Sequence, residues 1–234
     1  MHITKFLLLG VVLVSVVAVI FFGSRHWTNE TELLNPVEIK EYEGQMLSST
    51  RDFRENSIKG PQYIDNESYS LIVTGLVSNV KVYSYADVIN THEHYKKVVT
   101  LHCVDGWDVT ILWEGVLVKD LLEEAGVNPE AKVVIFYAFD NYSTSLPLDY
   151  VIDNDIIMAC KMNGLTLPPE RGFPFQLVAE SKQGYKWIKW ITKIELSDDV
   201  DYRGYWESRG FSHEADIPQE DDRQEEDGGP SFTP

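Results

Sequence analysis

The sequence predicts a strand-rich, mixed α+β domain, and three features of the chain carry this prediction. Alternating or continuous apolar runs predict strands at residues 69–75, 97–103, 132–138, 175–179 and 186–196. Helical spacing, a closing Gly126 and the following Pro129 predict a helix over residues 116–126. A chain with 44% hydrophobic and 12% aromatic residues has enough apolar surface for one sizeable core. Strands that outnumber helices without regular alternation are typical of the α+β class.

An uncharged apolar stretch opens the chain. Residues 6–24 carry no charged side chain, and this length lies within the roughly 17–25 residues that a helix needs to cross a bilayer. We therefore expect residues 1–24 to form a transmembrane anchor. A cleaved signal peptide is the alternative, but the stretch is long for one and residues 21–23 make a poor cleavage site. Lys5 and Arg25 flank both ends, so charge hardly decides the orientation.

Composition divides the rest of the chain into three parts. Residues 25–47 are charged with little apolar periodicity, which predicts a tether, and residues 48–215 form the domain. Residues 216–234 hold seven acidic side chains against Arg223 alone, which predicts a solvated, disordered tail.

Charge and cysteine content exclude several classes of protein. The net charge of -17 repels phosphates, so nucleic acid is not expected as a partner. The sequence holds no Gly-rich phosphate loop, paired-His zinc spacing or serine-hydrolase elbow. Two cysteines, Cys103 and Cys160, are too few for a disulfide scaffold, and burial as a small apolar side chain is the ordinary alternative for each.

Three blocks of the sequence have the composition of a binding site: residues 49–57, 100–107 and 167–176, the last leading to 184–189. Cys103 ends a predicted strand before a turn at Asp105 and Gly106, where a thiol is accessible as a metal ligand. The other blocks place basic side chains in an acidic protein, which indicates a bound anion. These side chains are Arg51, Arg54, Arg171, Lys182, Lys186 and Lys189.

In this order and spacing, the blocks resemble the oxidoreductase molybdopterin-binding family of sulfite-oxidase-like proteins. The resemblance rests on CVDGW at 103–107, W-x-G-V-x-V-x-D-L-L at 113–122, LPPERGFPFQLV at 167–178 and GYKWIKW at 184–190. It covers residues 48–215 and implies a sulfite-oxidase-type molybdopterin-binding fold. It also implies a molybdenum–molybdopterin cofactor and an enzyme that performs two-electron chemistry.

The resemblance implies roles for individual residues. Cys103 corresponds to the cysteine that ligates molybdenum, and a soft thiolate suits a metal that is also bound by sulfur. Asp105 lies where relatives have an acid near the metal, so it is expected to position water or substrate, although a plain turn-forming role is equally consistent. The expected contacts of the pterin and its phosphate are Arg54, Glu55, Asn56, Arg171, Lys186, Trp187, Ile188 and Lys189.

Four positions of these blocks depart from the family pattern or allow another interpretation. Relatives have His or Asn where Arg171 stands and often Arg where Gln176 stands, so the phosphate contact is expected at Arg171 and Gln176 is in doubt. Trp187 and Ile188 are equally consistent with sheet core.

The residues after Cys103 bear on the substrate. Sulfite oxidases of this family carry an arginine soon after the cysteine, whereas residues 104–113 contain no Arg or Lys. We therefore expect reduction of a neutral sulfoxide or N-oxide rather than sulfite oxidation, with electrons from a separate membrane partner such as a haem protein. The alternative is a membrane-tethered binding module of the same fold that has lost the cofactor. We expect the domain on the extracytoplasmic side, although the start lacks the twin-arginine signal frequent in relatives.

Overall fold

The structure is a computed structural model that describes residues 37–217. The predicted anchor at 1–24, the first part of the tether and the tail beyond residue 217 lie outside the described residues. None of the described helices is long and apolar enough to cross a membrane.

Residues 37–217 form twelve strands and three α-helices. The strands are β1 (Glu41–Tyr42), β2 (Gln45–Met46), β3 (Ser70–Gly75), β4 (Lys81–Ser84), β5 (Tyr95–His102), β6 (Asp108–Leu117), β7 (Val133–Ala138), β8 (Ser143–Pro147), β9 (Ile157–Met162), β10 (Leu165–Thr166), β11 (Gln176–Val178) and β12 (Ile191–Ser197). The helices are α1 (Tyr85–Thr91), α2 (Val118–Ala125) and α3 (Leu148–Asp153). This is a mixed, strand-rich α+β architecture, as the sequence predicts.

The strands form two five-stranded sheets and a separate β1–β2 hairpin. One sheet has the order β10-β9-β6-β5, with β11 also paired to β9, and all its pairs are antiparallel. The other has the order β4-β3-β12-β7-β8, in which only β3 and β12 run parallel. A single cluster of buried side chains draws on both sheets, including Trp113 from β6, Phe136 from β7 and Ile194 from β12. The domain therefore folds around one core.

The long β5–β6 hairpin positions the part of the chain that matters for function. Its register runs without a break from Tyr95 opposite Gly115 to His102 opposite Asp108. Strand β5 alternates in burial at its end, while β6 is buried along most of its length and pairs with β9 at its other edge. The hairpin therefore ends in a short turn over residues 103–107.

Most predicted elements are present, with shifted ends. The predicted strands at 69–75, 97–103, 132–138 and 175–179 are confirmed as β3, β5, β7 and β11. The predicted helix is confirmed from Val118, because Val116 and Leu117 still pair with β9 as part of β6.

The predicted strand at 186–196 is wrong in its first half. Residues Gly184–Lys186 form a 3₁₀ turn, and Trp190 has a φ of 55°, which extended backbone does not allow. Strand β12 therefore begins only at Ile191, and the aromatic residues before it run across a cavity instead of along a sheet.

The end of the predicted tether packs on the domain. Leu47 is buried, the Ile39 amide donates to the Asn163 carbonyl at 2.9 Å, and the Ser48 amide donates to the Thr110 carbonyl at 2.8 Å. At the other end, Asp216 forms an ion pair with Lys182 at 2.5 Å. The folded region therefore extends beyond 48–215 in both directions.

Glu38 fastens this N-terminal segment. Its carboxylate accepts hydrogen bonds from the Thr50 amide at 2.5 Å and Asn163 Nδ2 at 3.2 Å, and it pairs with Lys40. Burial by itself would raise the pKa of Glu38, but these partners together lower it from 4.5 to about 2.

We expect Glu38→Gln to lower the free energy of unfolding at pH 7 by about 1–2 kcal/mol. Because the folded-state pKa lies below the unfolded value, the contribution of the carboxylate is complete above pH 4.5 and is lost as the pH falls towards 2. The difference between the two proteins should therefore shrink between pH 5 and pH 3 in urea denaturation. Glu41→Gln, at an exposed position, is the control, and an equal loss in both variants would contradict this role.

Candidate active site

A cavity of about 220 Å³ opens beside the turn between β5 and β6. Its walls come from separate segments of the chain: residues 56–58, 103–105, 140 and 142, 184–185, 187–190, and 206 and 211. Two of the three blocks singled out in the sequence, together with residues from the 184–189 stretch, therefore meet in one place.

Cys103 lies in the wall of this cavity. The Cys103 amide donates to the Trp107 carbonyl at 3.0 Å, and the Gly106 amide, at a φ of 78°, donates to the Cys103 carbonyl at 3.0 Å. Asn56 Nδ2 lies 3.8 Å from Cys103 Sγ and directs a donor at it. Burial raises the pKa of the Cys103 thiol, and a metal ion bound beside it would stabilise the thiolate.

A smaller cavity adjoins the first. Asn56, Gly184, Trp187 and Lys189 line both cavities, while Arg171 lines only the smaller one. The two cavities therefore form a continuous cleft that leads from Cys103 towards the basic side chain of Arg171.

Three buried polar atoms along this cleft have no hydrogen-bond partner among residues 37–217: Ser57 Oγ, Trp107 Nε1 and Gln176 Oε1. Buried polar atoms are nearly always paired, so their concentration in one cleft indicates a polar ligand. A pterin, with donors and acceptors along its ring edges, fits these atoms. Trp107 and Gln176 line the smaller cavity and Ser57 the larger, which matches a group that extends away from the cysteine.

The basic side chains of the cleft are held in place by the chain itself. Arg171 donates to the carbonyls of Arg54 at 3.2 Å and Phe53 at 3.4 Å, and its guanidinium lies 4.7 Å from the centre of the Phe53 ring. Lys189 Nζ lies 3.3 Å from both Glu55 Oε1 and the Glu170 carbonyl. Fixed cations beside an anion-sized cleft are suited to the phosphate of the cofactor.

The structure brings most of the predicted site residues together. Asp105 is exposed at the larger cavity. Trp187 and Ile188 are buried in the wall of this cavity, so both side chains belong to the core and also line the cavity. Glu55 reaches the site through Lys189, whereas the Arg54 side chain is exposed and lines neither cavity.

Lys186 is a second predicted site residue whose side chain lines neither cavity. It is fully buried, and its Nζ lies 2.6 Å from Glu207 Oε1 and 3.0 Å from the Ser145 carbonyl. Lys186 is neutralised by this ion pair and lines neither cavity of the cleft. Its observed contacts connect residues 184–186 to the C-terminal segment around Glu207.

Sequence reasoning missed several residues of the cleft. Ser57 and Trp107 lie within the singled-out blocks, and Gln176 was in doubt because relatives have Arg there, yet its side chain oxygen is one of the unpartnered atoms. Asp140, Tyr142, Trp206 and Phe211 line the larger cavity without any motif in the sequence that would have indicated it.

A buried thiol at the end of a hairpin lies next to a cleft of unpartnered polar atoms and fixed cations, which is the arrangement of a cofactor-binding site. The chain belongs to the oxidoreductase molybdopterin binding domain family, whose model matches residues 58–206. It is therefore a molybdopterin-dependent oxidoreductase with a molybdenum–molybdopterin cofactor, and the cofactor-free binding module is set aside. Cys103, Asp105, Arg171 and Lys189 lie within the match, while residues 54–56 precede it.

Relatives and a solved structure agree with this assignment. The uncharacterized oxidoreductase YuiH of Bacillus subtilis is 34% identical over 157 residues, covering 67% of this chain and 78% of that protein. YedZ1 of Azospira oryzae, provisionally named as a protein-methionine-sulfoxide reductase subunit, is 30% identical over 189 residues, covering 80% of this chain and 69% of that protein. The sulfane dehydrogenase SoxCD of Paracoccus pantotrophus superposes with a TM-score of 0.58 at 25% identity, covering 62% of this chain and 42% of that one.

The contacts of Lys186 lead to a stability prediction. Lys186→Met leaves Glu207 charged, buried and without its cation, which should lower the free energy of unfolding by roughly 3 kcal/mol or more. Adding Glu207→Gln should restore most of this loss. Lys193→Met, in an ion pair about one-third exposed, is the control and should cost less than about 1 kcal/mol. If the Lys186→Met protein has normal stability but lacks molybdopterin, then Lys186 binds the phosphate of the cofactor instead.

Cofactor content tests the two cations of the cleft. Arg171→Ala or Lys189→Ala should weaken molybdopterin binding about tenfold or more, since a hydrogen bond to a charged group contributes roughly 1.5–3 kcal/mol. The fluorescence of the released, oxidised pterin, relative to protein concentration, measures the occupancy. Lys132→Ala, at an exposed position, should retain full occupancy. Full occupancy in both cleft variants would place the phosphate elsewhere.

Proposed function

We propose that this chain reduces a neutral sulfoxide or N-oxide at the molybdenum site, with electrons supplied by a separate membrane partner. The charge of the cavity beside Cys103 carries this proposal. The one Lys or Arg among the residues that line it is Lys189, whose ammonium is held by Glu55. Asp105 and Asp140 contribute carboxylates to the same walls.

This charge pattern favours a neutral substrate over sulfite. A small dianion would meet two carboxylates and no free cation, and the net charge of -17 would slow its approach. Arg54 and Arg171, the other basic residues near the site, do not line the larger cavity. A sulfoxide or N-oxide has a strong dipole but no net charge, so it avoids this repulsion.

Individual residues have defined tasks in such a reduction. When bound, the cofactor supplies the two-electron chemistry that removes oxygen from the substrate. Cys103 would hold its metal, and Asn56 orients Cys103 Sγ through the 3.8 Å contact. Arg171 and Lys189 would hold the phosphate. Asp105, exposed beside the cysteine, is placed to pass two protons from solvent, which with two electrons convert the oxide oxygen to water.

The relatives and the N-terminal sequence support the remaining parts of the proposal. YedZ1 carries a methionine-sulfoxide reductase name, which favours a sulfoxide as the oxygen donor. Each turnover consumes two electrons, and an anchor at residues 1–24 would hold the domain beside a membrane haem protein that delivers them. We place the domain on the extracytoplasmic side on the same grounds.

Steady-state assays with the molybdenum-loaded protein test the substrate, with a reduced dye as electron donor for oxide reduction and an oxidised dye as electron acceptor for sulfite oxidation. We expect reduction of neutral sulfoxides or N-oxides, and sulfite oxidation slower by roughly tenfold or more in kcat/KM. Val104→Arg places a cation in the same cavity wall and should lower the KM for sulfite, whereas Val104→Leu should not. Efficient oxidation of sulfite by the unmodified protein, with no reduction of any oxide, would contradict the proposal.

A further inference from the structure

One side of the larger cavity is built from aromatic rings. Tyr185, Trp206 and Phe211, here called the aromatic wall, line it together. The ring centres lie 5.3 Å apart for Tyr185 and Phe211, and 5.0 Å apart for Trp206 and Phe211. The Tyr185 hydroxyl donates to the Ser212 carbonyl at 2.8 Å, so Tyr185 contributes its ring and not a hydroxyl donor. The wall therefore presents aromatic, largely apolar side chains to the cavity.

A buried carboxylate lines the same cavity. Asp140 is only 3% exposed, and its Oδ1 accepts a hydrogen bond from the Tyr142 amide at 3.0 Å. Within the part of the chain that the structure describes, this is the only hydrogen bond to its side chain. A buried aspartate is ordinarily paired with a cation or with several donors. Asp140 therefore presents an incompletely compensated negative charge to the cavity.

Lys189 does not compensate this charge fully. Its Nζ is held by Glu55 and the Glu170 carbonyl, and it lines both cavities, including the smaller one, where the cofactor phosphate is expected. Once that phosphate is bound, Lys189 is neutralised by its own partners. The negative charge of Asp140 must then be compensated by the molecule that occupies the larger cavity.

The aromatic wall and Asp140 line only the larger of the two cavities that form the cleft. None of these four residues lines the smaller cavity, which holds Trp107, Arg171 and Gln176. They share the larger cavity with Cys103, so a molecule bound against them lies in the same chamber as the metal ligand.

We infer that the substrate is a sulfoxide or N-oxide that also carries an ammonium group, which Asp140 and the aromatic wall bind. Aromatic ring faces together with a carboxylate form a recognised type of site for alkylated ammonium groups. A carboxylate-bearing substrate would be repelled by Asp140, and an apolar one would leave its charge uncompensated. The inference rests on the proposed reduction of an oxide and specifies which oxides are preferred.

A set of matched sulfoxides tests the inference on the molybdenum-loaded protein. The substrates carry a trimethylammonium, a tert-butyl or a carboxylate group at the end of the same short chain, and the first two are nearly identical in shape. We expect kcat/KM for the ammonium compound to exceed that for the tert-butyl compound about tenfold or more, and the carboxylate to be the poorest.

Variants link this preference to the named residues. Asp140→Asn should reduce the ammonium-to-tert-butyl ratio of kcat/KM to roughly one, and Trp206→Leu should reduce it severalfold. Asp153→Asn, the same change at an exposed aspartate, should leave the ratio unchanged. Equal kcat/KM values for both compounds in the unmodified protein, or a ratio unaffected by Asp140→Asn, would overturn the inference while the proposed oxide reduction stands.

Binding without turnover separates the two proposals. Calorimetry with tetramethylammonium on the oxidised, molybdenum-loaded protein should give saturable binding that Asp140→Asn and Trp206→Leu weaken about tenfold and severalfold respectively. If no oxide is reduced but this binding is found, the proposed function fails and the ammonium site stands. If tetramethylammonium does not bind, or binds equally to all variants, the ammonium site is refuted.

Discussion

The register of the β5–β6 hairpin is the constraint on which the site depends. Its unbroken antiparallel pairing ends at His102 opposite Asp108, so the next five residues must turn, and Cys103 is the first of them. A shift of the register by one residue would exchange the buried and exposed faces of both strands. The buried side chains of β6, among them Ile111 and Trp113, therefore fix where the thiol lies as firmly as any contact of the cysteine itself.

A second segment completes the site by close approach to this turn. An added Cβ on Gly184 would lie 3.3 Å from the His102 carbonyl oxygen and 3.6 Å from Cys103 Cα, which leaves little room for a side chain. The 3₁₀ turn that begins at Gly184 and the positive φ of Trp190 carry residues 187–190 across the cavity before β12 begins. The buried ion pair of Lys186 and Glu207 connects the segment 184–190 to the residues that precede Phe211. Residues 184–190 thus contribute both to the cofactor cleft and to the aromatic wall.

Much of the fold could be predicted from the sequence because burial imposes visible periodicity. Strands β3, β5, β7 and β11 and helix α2 follow from apolar spacing alone. Residues 186–196 also alternate, but part of their apolar character serves the cavity, and the backbone of Trp190 cannot be inferred from side-chain pattern. Periodicity reports that a residue is buried, but it does not distinguish burial in a sheet from burial around a ligand.

The candidate site was predictable where motifs are contiguous. Cys103, Asp105 and Lys189 stand in short blocks whose residue types match metal and phosphate chemistry. Asp140 and Phe211 are brought to the cavity only by tertiary packing, and nothing near them in the sequence marks a site. Lys186 shows the opposite difficulty, because a lysine inside a binding block has the same sequence signature whether it faces a phosphate or a buried glutamate.

X-ray absorption at the molybdenum edge tests the central claim, that Cys103 is the protein ligand of the metal. Elemental analysis of the purified protein should first give about one molybdenum per chain. Cys103→Ser should then show one sulfur neighbour fewer around molybdenum, whereas Cys160→Ser should show the unmodified sulfur shell, because Cys160 is buried against the Glu114 carbonyl in β6. An unchanged sulfur shell in Cys103→Ser, or the loss of a sulfur neighbour in Cys160→Ser, would contradict this account.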